Sequence, residues 1–153
     1  MKEDKKIIKV LDTTLRDGEQ SPGCTMHPTE KLEIALKLEA MKVDIIEAGF
    51  PASSNADFLS LQKITTAVKG CAVAALSRTT VHDIDTAAAA LYLAKNPVLH
   101  MFIATSPIHL KYKLKMTEDE VLEAIAYHAK YAKTKLPYLR YAIEDATRTP
   151  VDF

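Results

Sequence analysis

Acidic, basic and imidazole side chains recur in this sequence at the ends of its short apolar runs. The run at 7–11 is followed by Asp12, Arg16, Asp17, Glu19 and Gln20, and the run at 43–48 carries Glu47 near its end. Ser77 and Arg78 follow the run at 71–76; His100 lies inside the run at 98–104, which Thr105 and Ser106 follow. A last run at 138–143 leads into Glu144 and Asp145. Carboxylate oxygens and an imidazole are donors for a divalent cation. Arginine stays charged at any working pH and suits an oxyanion or a carboxylate. A carboxylate or imidazole can also accept or deliver a proton. If the chain brings these groups together, they form a charged site for a divalent cation and a carboxylate-bearing small molecule.

The elements that must position them alternate regularly. Apolar runs at 7–11, 43–48, 71–76, 98–104 and 138–143 read as buried strands. Between them lie amphipathic stretches. Pro28-Thr29-Glu30 opens a helix with Leu32, Ala35, Leu36 and Ala40 at helical spacing. Ser54 with Asp57 starts a second, carrying Phe58, Leu61, Ile64 and Val68 and ended by Gly70. A third presents Ile84, Ala87, Ala88, Leu91 and Ala94, and a fourth starts at the capping pair Thr117 and Glu120. Strand–helix alternation with short connections predicts an α/β fold on a parallel sheet. In such folds ligands bind at the C-terminal ends of the strands, where the polar residues collect. Four βα units and a fifth strand fit either a small doubly wound sheet or part of a (β/α)8 barrel, because a whole barrel takes ~250 residues. Periodicity leaves both open.

Composition narrows the partners. The 153 residues are 48% hydrophobic and 26% charged, with 20 basic and 20 acidic side chains. That balance is the signature of a folded domain with a core. It lacks the basic excess that nucleic acid or an anionic membrane requires. The charged start MKEDKK precedes too few apolar residues for a signal peptide or a membrane span. Cys24 and Cys71 are far apart and form no CxxC pair, which fits a reducing, cytoplasmic setting.

Four segments carry a resemblance. LDTTLRDGEQSPG (11–23), IIEAGFPASS (45–54), HMFIATSPIH (100–109) and EDATRTP (144–150) resemble, in order, motifs of the family containing the 2-isopropylmalate, homocitrate and citramalate synthases. Hydroxymethylglutaryl-CoA lyase is a relative of that family. The GEQSPG and GFPASS wording is most similar to the isopropylmalate synthases. The resemblance implies the N-terminal portion of a (β/α)8 TIM barrel and a Claisen-type condensation of acetyl-CoA with a 2-oxo acid. It implies Asp17 as a ligand of a divalent metal (manganese, magnesium or zinc) and Arg16 as stabiliser of the enolate or oxyanion. It further implies Arg16 and Glu144 as catalytic residues and Arg16, Gln20, Glu47, His100 and Thr105 as substrate-binding ones, with Glu47 supporting the site and His100 and Glu144 near the 2-oxo acid and the reacting methyl group. Small-molecule substrates and a homodimer at full length are further implications.

Some positions depart from that pattern. Lys42 stands where relatives carry a glycine helix cap, so a left-handed backbone there is strained by ~1–2 kcal/mol. Ala142 and Ile143 replace a serine and a proline or cysteine. The family's later His-x-His metal pair and its C-terminal regulatory domain have no counterpart in residues 1–153. The expectation is a partial catalytic domain, inactive alone, with open edges at its first and fifth strands. A non-catalytic half-barrel that associates through those edges is the alternative from another class. Singly, Asp17 beside Gly18 reads as a turn residue, Cys24 as a loop thiol, and the lysines at 111–115 as a solvated loop able to meet coenzyme A phosphates.

Overall fold

A computed structural model describes residues 7–153; the charged run at 1–6 lies outside them. Five strands follow one another as β1 (Leu11–Asp12), β2 (Ile45–Glu47), β3 (Ala72–Arg78), β4 (Pro97–Ala104) and β5 (Tyr138–Glu144). All pairings are parallel, and the spatial order β1-β2-β3-β4-β5 equals the chain order. A doubly wound sheet reverses its order at a switch point; this one never does. The helices are α1 (Pro28–Ala40), α2 (Asn55–Ala67), α3 (Val81–Ala90), α4 (Pro107–His109) and α5 (Glu118–Lys135). Among the longer ones, α1 packs on α2, α2 on α3 and α3 on α5. A single helix layer with right-handed crossovers makes the sheet curl one way, as in a (β/α)8 barrel. The result is a curled half-barrel of five strands, and the open-sheet alternative is excluded.

Local chemistry explains the helix starts. His27 accepts from the Thr29 N–H while the Glu30 side chain accepts from the His27 N–H, closing a capping box ahead of Pro28. Ser54 caps α2 through the Asp57 N–H, and Thr117 and Glu120 form the anticipated box on α5. Lys42 does adopt the left-handed conformation, φ 62°, with its N–H on the Glu39 carbonyl.

The core lies between sheet and helices. Ile46, Val73, Ala75, Leu99 and Met101 face Leu61, Ile64, Ile84, Ala87 and Leu91. Strand alternation then turns Glu47 and His100 to the opposite, concave face. A smaller cluster of Ile103, Leu110 and Val121 fastens the segment after β4 to α5.

Three expectations need correction. The first strand is paired only at Leu11–Asp12, and Ile7 and Ile8 are each 85% exposed rather than buried. Among the described residues β1 has a neighbour on one side only, so side chains before Leu11 have nothing to pack against. The inner face of α1 carries Lys31, Ala35 and Leu38, whereas Leu36 and Ala40 are exposed. The stretch after β4 is no plain loop: α4 runs into a π-helical turn, Leu110–Leu114, ended by Lys115 at φ 55°.

Candidate active site

The site begins with the turn after β1. The Thr13 carbonyl accepts from the N–H groups of Arg16, Asp17 and Gly18 at 3.1, 2.8 and 3.1 Å, and Asp12 Oδ1 accepts from the Thr14 N–H at 3.0 Å. That tight reversal buries Leu15 in the core and sends Arg16 to the concave face. Behind it lies an ionic anchor. Lys31, 2% exposed on α1, reaches Glu19 Oε2 at 2.5 Å and Asp57 Oδ1 at 2.7 Å. Glu19 Oε1 in turn accepts from the Met26 N–H at 3.1 Å. The loop carrying Arg16 and Gln20 is thereby tied to both α1 and α2.

Glu47 is the hub. It is fully buried, and both oxygens are occupied: Arg16 Nε donates to Oε2 at 3.0 Å and His100 Nδ1 contacts Oε1 at 2.5 Å. Burial pushes the Glu47 carboxyl up, but the hydrogen bond and charge of His100, with those of Arg16, outweigh it and hold the group below its ordinary value. An ionised carboxylate only accepts, so His100 donates from Nδ1 and keeps Nε2 for another partner. Glu47 thus orients Arg16 and His100 and has no oxygen left for a substrate.

Arg16, Gln20, Phe50, His100, Phe102, Lys113 and Glu144 line one cleft of about 420 Å3 at the C-terminal ends of the strands. Lys113 Nζ donates to both oxygens of Glu144, at 2.8 and 2.7 Å. Asp17 sits at the rim with its side chain 63% exposed and Oδ1 held by Arg16 Nη1 at 2.8 Å. Among the described residues no three His, Cys, Asp or Glu side chains converge. Asp17 by itself does not fit the three or more protein ligands that a divalent metal needs.

Other strand-end groups turn away. Thr105 is buried, its hydroxyl on that of Thr149 at 2.6 Å. Arg78 pairs with Asp83 on α3 through two bonds, 2.7 and 3.0 Å, and lies 5.6 Å from the Phe50 ring centre. Ser106, His109 and Asp145 have the composition of a hydrolytic triad. Both contacts use His109 Nδ1, at 2.9 and 3.3 Å, so no proton relay runs through the ring. His27 caps α1 and His128 bonds the Ala124 carbonyl. Sequence reasoning missed Lys113 and Lys31. Lys31 lies at i, i+4, i+7 spacing with Ala35 and Leu38, but apolar periodicity passes over a lysine; nothing in the sequence marks Lys113 off from its neighbouring lysines.

A singly wound α/β sheet with charged side chains at its C-terminal strand ends is the arrangement of the N-terminal part of a (β/α)8 barrel. The chain belongs to the HMGL-like family, whose model matches residues 7–153. It is 54% identical over 146 residues to the 2-isopropylmalate synthase of Bacillus velezensis, covering 95% of this chain and 28% of that protein. It is 52% identical over 148 residues to 2-isopropylmalate synthase 1 of Caldanaerobacter subterraneus subsp. tengcongensis, covering 97% and 37%. The chain therefore spans 28% and 37% of the length of these two curated relatives.

Proposed function

We propose that residues 1–153 form the first part of the catalytic barrel of a 2-isopropylmalate synthase, which condenses acetyl-CoA with 2-oxoisovalerate. The observation that carries this is the Arg16–Glu47–His100 constellation on the same concave face as Glu144. In the reaction the acetyl methyl C–H bond breaks, its proton passes to a base, and the electron pair forms an enolate. The enolate carbon then bonds to the keto carbon, and the keto oxygen takes up a proton. Water hydrolyses the thioester, releasing the coenzyme A thiol and 2-isopropylmalate. Glu144, a carboxylate on the cleft wall, is suited to the proton transfer. The Arg16 guanidinium, fixed by Glu47, is suited to hold the enolate or oxyanion charge. His100 and Gln20 are placed to hydrogen-bond the 2-oxo acid.

Asp17 offers one oxygen to a divalent cation, whose role in such a reaction is to polarise a carbonyl. The remaining donors come from outside the described residues. Like its relatives' names, the GEQSPG and GFPASS wording favours 2-oxoisovalerate over pyruvate or 2-oxoglutarate. No helix among the described residues is long and apolar enough to cross a membrane.

The test is a chimera of the Bacillus velezensis synthase in which residues 7–153 of this chain replace the matching segment. Thiol release is measured with manganese and each of the three 2-oxo acids. Turnover fastest with 2-oxoisovalerate, and lost in Arg16→Met, is the expected result. A folded chimera without turnover, or one that prefers pyruvate, rejects this reading.

A further inference from the structure

We propose that Lys113 is a positioning residue for Glu144, held over the cleft by the π-helical turn that carries it. An ion pair and the backbone of one turn place it there. Lys113 Nζ bonds both oxygens of Glu144, at 2.8 and 2.7 Å, across 31 positions of sequence. Its carrier is a π turn, Leu110–Leu114, a rare conformation that recurs at functional sites. The turn is closed by Lys115 in the left-handed region, φ 55°, a strained backbone for a residue with a side chain.

The turn is anchored well enough to aim a side chain. Leu110 is buried with Ile103 and Val121, and Leu114 packs on the same cluster. The Met116 N–H donates to the Leu110 carbonyl at 3.2 Å and fixes the far end. With Leu110 and Leu114 turned to the core, Lys113 is left on the cleft wall beside Phe102 and Glu144. Two contacts from one ammonium fix the orientation of the Glu144 carboxylate and supply its countercharge. Arg16 pairs with Glu47 and Asp17 rather than with Glu144, so Lys113 is the cation that meets this carboxylate. Lys113 acts through Glu144 and sets the aim of the group to which the proposed reaction assigns the proton transfer.

This inference rests on the functional reading above, and the same chimera tests both. Lys113→Met is expected to lower kcat about ten- to a hundredfold, the range a small misplacement of a reacting group produces, with KM for 2-oxoisovalerate within about twofold. Lys113→Arg, which keeps a cation and two donors, is expected to recover most of kcat. A half-exposed pair adds little stability, so Lys113→Met should melt within about 3 °C of its parent. An active chimera in which Lys113→Met leaves kcat unchanged, raises KM alone, or is not rescued by arginine overturns this inference and leaves the synthase reading intact. A folded, inactive parent overturns both.

Discussion

Glu47 holds Arg16 and His100 with no solvent contact of its own, so its loss leaves both without their shared partner. Glu47→Ala strands the Arg16 guanidinium and His100 beside an apolar gap, with an expected cost of about 3 kcal/mol or more, read from the denaturant midpoint. The same buried charge sets a pH dependence. Glu47 and Asp83 both have folded values lowered from the ordinary 4.5 and 3.8. Their contributions are complete above those values and are lost as pH falls through the lowered ones. The melting temperature should therefore fall from about pH 5 toward about pH 3, and less steeply in the Glu47→Ala variant. A profile unaffected by the substitution contradicts the hub assignment. Lys42 works in the other direction. At φ 62° it occupies a glycine conformation, and Lys42→Gly should stabilise the chain by ~1 kcal/mol in thermal unfolding.

At the scale of elements, the helix starts were the most legible features. Ser54 with Asp57 and Thr117 with Glu120 were readable because capping is a local matter of a side-chain oxygen and an N–H three residues on. Thr117→Ala should cost about 1 kcal/mol, and amide exchange in the first turn of α5 should quicken. The faces of α2 and α3 were equally plain, since Leu61, Ile64, Ile84 and Ala87 repeat at helical spacing and are all buried. For α1 the inner face was misread because Lys31 occupies it; a buried lysine is invisible to apolar periodicity until Glu19 and Asp57 are seen to surround it. The π turn at Leu110–Leu114 had no local signal either. It arises from the packing of Leu110 and Leu114 on Ile103 and Val121, residues from other elements.

For the whole molecule, the half-barrel leaves β1 and β5 each paired on one side among the described residues, with Ile7, Ile8, Tyr138 and Ile143 exposed near those edges. Unpaired parallel edges with apolar side chains template association. The 153-residue chain produced alone should therefore elute above the mass of one chain in size exclusion with light scattering. A clean monomer at every concentration contradicts this. Its divalent-metal binding should also be weak, with a dissociation constant of about a millimolar or above by titration calorimetry, because only Asp17 is offered at the rim. Tight binding would place the missing donors within this chain.

Sequence alone determined the order of strands and helices, their caps, the clustering of polar groups at strand ends and the family resemblance, since each depends on local spacing or on an uninterrupted motif. Tertiary structure decided the rest. Only the curl of a singly wound sheet brings Arg16, Glu47, His100 and Glu144, 128 positions apart at the extremes, onto one face. It likewise decided that Glu47 serves Arg16 and His100 and that Thr105 is sealed against Thr149. These outcomes depend on which neighbour satisfies each buried polar atom, and that neighbour is supplied by a different element of the chain.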